Sequence, residues 1–405
     1  MRNLTLLLLS LFLIYSCSKK KEINQWRGDN RDGIYHETNL LKEWSENGPD
    51  LLWEFEEIGN GYGAPVITSD KIFVNGELDS ISHLFAFNLE GQLLWKSEYD
   101  SSWVINFPGS RSAPTVVNDL VYVCSPKGEI VCFKSKDGSK LWSKNMLKDF
   151  NGVIPRFGFS QSLLVEGDKV YCAPGNKDTN FVALNRFTGE TIWINAAKGE
   201  KPAYCSPLLV ELPTRKLLVT FSEFSLFGLD AESGEMLWVH DQDTMGDVHG
   251  NTPIYEKDFI YYTTGCGNGT VKLQLSEDGN KIAEIWRNIE LDNIMGGVVK
   301  VNNKIIGTGH QKQILKSLDA ITGNFTDSLK VGRGSTIFAD GLLYVYNEKG
   351  PLNLINPEPK LELISSFRIK KGTKEHFAFP VIKNGILYIR HGNTLMAYNI
   401  KKDME

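Results

Sequence analysis

The sequence predicts an all-β fold: an eight-bladed β-propeller of four-stranded antiparallel blades, its ring closed by a strand from the N-terminal part of the chain. Three observations predict it. A Gly-x-x-(Leu/Ile)-Trp element recurs as EGQLLW ending at Trp95, DGSKLW at Trp142, TGETIW at Trp193, SGEMLW at Trp238 and, loosened, NKIAEIW at Trp286. The steps between these tryptophans are 47, 51, 45 and 48 residues, the length of a four-stranded blade. No helical apolar period follows the N-terminal run, while glycine reaches 37 residues and aromatics 11%, as expected of short strands joined by tight turns.

Each repeat reads as strand A, a turn, strand B, a loop, strand C, a glycine turn and strand D. The A and B halves are APVITSDKIFVNG from Ala64, APTVVNDLVYVC from Ala113, SLLVEGDKVYC from Ser162, TPIYEKDFIYYTTG from Thr252, GVVKVNNKIIGTG from Gly297, TIFADGLLYVY from Thr336 and PVIKNGILYIRHG from Pro380. Strand C follows as LFAFNL, IVCFKS, FVALNR and LFGLDA. Strand D carries the tryptophan. The acidic cluster Asp230, Glu232 and Glu235 in GLDAESGEMLWVH resembles a chemical site, but its pattern is reused along the chain, as a structural turn is. Asp230 is expected to bond its own backbone in the C-to-D hairpin while Gly234 supplies positive φ.

Closure follows from a mismatch at the two ends. The last repeat ends at NTLMAYNI without a strand D, and a spare strand with its own tryptophan stands at PDLLWEFEE, around Trp53. Pairing the two removes both sheet edges and gives eight blades. Seven is the alternative, because the sixth and seventh repeats, LDAITGNFTDSL and NPEPKLELISSF, have lost the tryptophan. The chain divides into a signal at 1–17, a tether and extension at 18–50, the propeller at 51–400 and a tail at 401–405. Its 405 residues would ordinarily predict several domains, but each blade of a repeat protein buries its faces on its neighbours.

MRNLTLLLLSLFLIYSC has a basic residue, an apolar run and a small residue before Cys17, a secretory signal too short to span a bilayer. IYSC resembles the bacterial lipobox, which implies diacylated Cys17 as the mature N-terminus and a membrane partner reached through the anchor. Ser18 at the next position resembles outer-membrane sorting. SKKKEINQ reads as a polar tether. WRGDNRDGIY, Trp26 to Tyr35, is expected to plug one face of the ring, with a surface role for Trp26 and Arg27 as the alternative.

A net charge of −5 and a pI near 5.9 argue against nucleic-acid binding, which needs a basic footprint. Cys124, Cys132, Cys172, Cys205 and Cys266 match no zinc spacing and are read as buried thiols. GCGNGT at Gly265 opens no helix, so it does not read as a phosphate loop.

LDAESGEMLW and, in part, LNRFTGETIW resemble the tryptophan-docking repeat of quinoprotein alcohol dehydrogenases. The whole unit, from WRGDNRDGIY to HGNTLMAYNI, resembles the PQQ-binding-like propeller lipoproteins of Bacteroidetes, with the outer-membrane assembly lipoprotein B as a relative. The enzymatic branch of this resemblance implies PQQ against an adjacent cysteine pair, a calcium held by Glu and Asn, and an Asp base. No two cysteines here are adjacent, and neither the calcium ligands nor the base align. The expectation is therefore a monomeric, lipid-anchored, non-catalytic binding or assembly protein of the cell envelope, at the outer membrane, without cofactor. A PQQ- and calcium-dependent alcohol dehydrogenase is the alternative.

The D-to-A connections are long and variable, such as KSEYDSSWVINFPGSRS and SKNMLKDFNGVIPRFGF, and insertions on one face of a repeat protein mark a binding face. Before successive inner strands stand Tyr62, Arg111, Arg156, Tyr204, His249, Arg333 and His376, and the B-to-C loops add His310, Glu348, Arg390 and His391. These eleven are expected to ring one mouth of the channel. Arginine forks match carboxylates and aromatics stack on flat or sugar surfaces, so the implied occupant is an anionic or carbohydrate-like ligand or an envelope protein. The structural alternative is that they tie neighbouring blades together.

Overall fold

The computed structural model describes residues 22–242 and 248–402; Cys17 and the signal lie outside them. Eight antiparallel sheets of four propeller strands each follow one another along the chain, which excludes the seven-bladed alternative. Their inner strands are Val66–Ile67, Thr115–Val117, Leu164–Glu166, Leu208–Glu211, Ile254–Glu256, Val298–Val301, Gly334–Ala339 and Val381–Lys383. Inner strands run from the face that carries the D-to-A and B-to-C loops, here the loop face, to the face of A-to-B and C-to-D turns, the turn face. Apolar cores lie between blades: Phe73, Phe85 and Phe87 of blade 1 pack with Val121, Val131 and Phe133 of blade 2.

The ring closes as expected. Asp50–Phe55 pairs antiparallel with Thr394–Asn399, Trp53 opposite Ala397. Trp53 then does what Trp95, Trp142 and Trp193 do. Its indole N–H donates to Leu89 O at 3.0 Å, and its ring lies under Gly91, where a Cβ would fall 2.4 Å from it. Trp95, Trp142 and Trp193 likewise donate to Ser135, Arg186 and Ala231 of the next blade's C-to-D turn and lie under Gly138, Gly189 and Gly234. These glycines have positive φ, and a side chain on them would displace the indole. Asp230 accepts from Glu232 N and Ser233 N, as Asp319 does from Ile321 N and Thr322 N, so the acidic hairpin is architecture.

Five tryptophans also pack on an aromatic near the start of their own blade's strand B: Trp95 on Phe73, Trp142 on Tyr122, Trp193 on Tyr171, Trp286 on Tyr261 and Trp53 on Tyr388. In blade 7 the register position of the tryptophan holds Ser365, opposite Leu354 at the strand bulge. The indole there comes from Trp44, which packs on Tyr344, its backbone N–H donating to Ser365 Oγ at 3.2 Å.

The segment before the closing strand enters the ring. Ile23–Asn24 pairs with the inner strand of blade 2 and Ile34–Tyr35 with that of blade 7. Between them Arg31 donates to Ser162 O and Leu163 O of blade 3, Arg27 to Val298 O of blade 6, and Trp26 packs edge-on against Phe379 beside blade 8. Contacts to both sides of the ring place residues 22–35 in the central channel. Trp26 and Arg27 are buried, which overturns the surface role considered for them. Cys124, Cys132, Cys172 and Cys205 are buried thiols, but Cys266 is exposed in the B-to-C connection of blade 5. With Asn268 and two glycines beside it in GCGNG, that turn is built from residues that tolerate positive φ, and nothing covers it.

Candidate functional site: the loop face

The eleven predicted residues all belong to loop-face connections or strand ends, but they fall into separate groups. Arg390 is fully buried and donates to the carbonyls of Gly59, Gly63, Asn75 and Gly392, tying the last blade to the first. Burial lowers its pKa to about 9. Arg111 donates to the carbonyls of Asn106, Phe107 and Gly109 and lies over the Trp103 ring, so it braces its own loop. Arg333 is held by Glu348 at 2.7 Å and by His310 Nδ1 at 2.7 Å; burial and then the adjacent guanidinium push His310 down.

His376 and His391 stack with ring centroids 3.5 Å apart. Burial, reinforced by the neighbouring His391, lowers His376 to about 4, so it is neutral near pH 7. Both nitrogens of His391 face backbone carbonyls, of Lys371 and Lys374. His249 is buried, stacked on Phe221 and in contact with Glu223 O. Tyr62 donates to Glu375 at 2.7 Å. Arg156 stands apart: it is exposed, its guanidinium lies over Phe157 at 5.1 Å, and among the described residues it makes no side-chain hydrogen bond or ion pair.

What the structure does bring together is a set of aromatics. Tyr62, Phe377, Phe107, Phe157 and Tyr204 form a continuous arc with successive centroids 5.6, 5.8, 6.1 and 5.9 Å apart. They come from five different D-to-A loops. Next to Phe107, itself 42% exposed, Val104 and Ile105 project at 66% and 76%. The loop under them is fixed from inside, because Glu77 accepts from Trp103 N at 2.9 Å and from Ser82 Oγ. Burial raises the Glu77 carboxyl to about 7.

Phe107, Phe157 and Phe377 are absent from the predicted set, which favoured polar side chains. A signal was available for Phe377 alone: like Tyr62 and Tyr204, it stands three residues before a proline that leads into an inner strand, Pro380 beside Pro65 and Pro207.

The channel behind this mouth is narrow. The space between Gln25, Gly28, Tyr35 and the inner strands of blades 8 and 1 is a cavity of about 50 Å³, room for water and little more.

Residues 82–329 match the family described as outer membrane protein assembly factor BamB. The chain belongs to this family. BamB of Burkholderia pseudomallei is 25% identical over 298 residues, covering 71% of this chain and 70% of that protein. A quinone-dependent 1-butanol dehydrogenase of Thauera butanivorans is also 25% identical, over 235 residues, and the match spans only 35% of that enzyme's length. Among solved structures, BamB from Moraxella catarrhalis superposes with TM-score 0.62 at 13% identity, covering 88% of this chain and 98% of that one. A europium-containing methanol dehydrogenase gives 0.64 at 12%, covering 91% and 90%. At such identities the structural likeness is one of fold alone, and the BamB family and the quinoproteins share it.

The residues required by the quinoprotein resemblance do not fit. The described cysteines sit singly on separate strands and turns, no three His, Cys, Asp or Glu side chains gather as a metal site among the described residues, and residues 22–35 occupy the channel.

Proposed function

We propose that this BamB family member is a lipid-anchored envelope scaffold, monomeric and non-catalytic, that holds a protein partner on its loop face at the outer membrane. The observation that carries the reading is the exposed apolar cluster of Val104, Ile105 and Phe107, backed by half-buried Phe157 and Phe377 and by buried Tyr62 and Tyr204, on loops braced by Arg111, Glu77 and Arg390. Contiguous exposed apolar surface with a polar rim is the signature of an interaction site. Membership of a family described as an outer membrane assembly factor supports the same class of role, and the lipobox-like IYSC supports the anchor.

Of the predicted arginines Arg111, Arg156, Arg333 and Arg390, Arg156 alone keeps its guanidinium uncommitted among the described residues, so the partner segment that fits combines apolar side chains with a carboxylate. A small anionic or carbohydrate-like ligand at the same place is the narrower form of this reading. A photo-crosslinking residue at Ile105, compared in cells with one at Glu277 on the turn face, tests it. Discrete adducts at Ile105 to an envelope protein, lost on Phe107→Ala, are expected. Equal labelling from both faces would remove the loop face as the docking site.

A further inference from the structure

The fixed point at which the chain enters the ring carries information about orientation. Glu22 is bonded on both sides to Asn118, its N–H donating to the Asn118 side-chain oxygen at 3.3 Å and its carbonyl accepting from Asn118 N at 3.1 Å. Asn118 lies in the A-to-B turn of blade 2, and Ile23 pairs with Val117 at the lower end of that blade's inner strand. The chain therefore enters the channel from the turn face. It leaves by the same face, since Ile34 and Tyr35 run parallel to the end of the inner strand of blade 7, opposite Phe338 and Ala339.

Cys17 stands five residues before Glu22. Even fully extended, that stretch spans roughly 17 Å at about 3.3–3.6 Å per residue. A path to the loop face cannot run through the channel, which residues 22–35 fill. Around the outside it must first cross four strands spaced about 4.8 Å apart and then climb the height of the blade, more than the tether can reach.

The geometry points to the turn face as the surface that lies against a lipid bilayer, with the loop face and its aromatic arc directed away into the aqueous space. The occupant of the turn face is thus the lipid surface that holds the acyl chains. Lys19, Lys20 and Lys21 stand between Cys17 and Glu22 in the sequence, and cationic side chains near a bilayer gain from anionic headgroups. This inference rests on the acylation of Cys17 put forward above. It adds that a partner must come to the loop face from the side opposite the membrane.

The test uses the full-length acylated protein in phosphatidylethanolamine–phosphatidylglycerol liposomes that contain a headgroup-linked acceptor dye. Cys266→Ser removes the exposed thiol. Single cysteines are then labelled at Lys136→Cys and Glu277→Cys on the turn face, and at Ile105→Cys and Ile289→Cys on the loop face, all four being exposed positions. Energy transfer at least threefold stronger from the turn-face pair is expected, and inserting twenty Gly/Ser residues after Lys21 should bring the two pairs to within a factor of about 1.5. Acylated protein that sediments with liposomes but gives equal transfer from both faces would overturn the orientation while leaving the anchor intact. An intact mass without acyl chains, with the protein remaining in the supernatant, would overturn the anchor and the orientation with it.

Discussion

The indole of Trp44 packs on the ring of Tyr344 at 5.8 Å, the relationship that a strand-D tryptophan makes with an aromatic near the start of strand B in five other blades. Blade 7 has Ser365 at its own tryptophan position, and a residue far away in sequence fills the place. Trp44 is 8% exposed and also meets Phe367 edge-on. Trp44→Ala should cost about 3–5 kcal/mol, read as a lower urea midpoint with an unchanged slope. A loss under about 1 kcal/mol would show that the site collapses around the cavity and that Trp44 is not a structural substitute.

Trp53 makes the corresponding joint between blades 8 and 1, but it is only partly buried, so Trp53→Ala should cost less, roughly 2–4 kcal/mol. The effect should be spread over both ends of the chain because strands 50–55 and 394–399 share one ladder. Amide exchange should accelerate in both strands together. Acceleration confined to residues 50–55 would mean that the last blade stands without the closing strand.

The ring itself was legible because its signal is periodic: a tryptophan, a glycine turn and an A/B hairpin repeated along the chain, with Trp53 left over at one end. Trp44 was not legible, since nothing in WSENGP announces that it completes a blade assembled from the other end of the sequence. The candidate site was legible by location and not by chemistry. Arginines such as Arg390 and Arg111 look alike in sequence whether they serve a ligand or backbone carbonyls, and only the three-dimensional course of residues 59–63 and 106–109 decides it. Phe377 could have been found from its placement three residues before Pro380, the spacing of Tyr62 and Tyr204, whereas Phe107 and Phe157 have no such repeated position.

The plug gives a third prediction. Arg31 is buried without a carboxylate partner, bonded to Gln25 Oε1, Ser162 O and Leu163 O, and burial lowers its pKa to about 9. Arg31→Met keeps an unbranched apolar stem and removes the bonds, leaving two carbonyls of blade 3 unmatched, at a cost of about 1–3 kcal/mol. Exchange should rise at residues 162–166 and at 23–24. A variant as stable as the wild type would show that desolvating the guanidinium offsets its bonds.

Glu77 gives a pH dependence whose sign is set by its raised pKa. The native carboxyl holds its proton up to about 7, against 4.5 for the free group, so the native state binds more protons between these values. Its contribution to stability is complete below about 4.5 and is lost as pH rises through about 7. Wild-type protein should lose about 1–3 °C of melting temperature between pH 5 and 8 relative to Glu77→Gln, which cannot ionise. Parallel pH profiles for the two proteins would remove Glu77 as the source.

The loop face gives the last prediction, and it separates docking from architecture. Phe107 and Arg156 are both exposed: the Phe107 ring centroid lies 6.1 and 5.8 Å from those of Phe157 and Phe377, and the Arg156 guanidinium lies over the Phe157 ring. Neither is needed to satisfy a buried polar group, so Phe107→Ala and Arg156→Gln should each change stability by about 1 kcal/mol or less. Arg390→Gln, by contrast, leaves several buried carbonyls without a donor and should cost about 3 kcal/mol or more. If the arc is the docking surface, the first two variants should lower the yield of crosslinks from Ile105 several-fold at unchanged melting temperature. Loss of crosslinks only in variants that also lose stability would return these loops to a structural role.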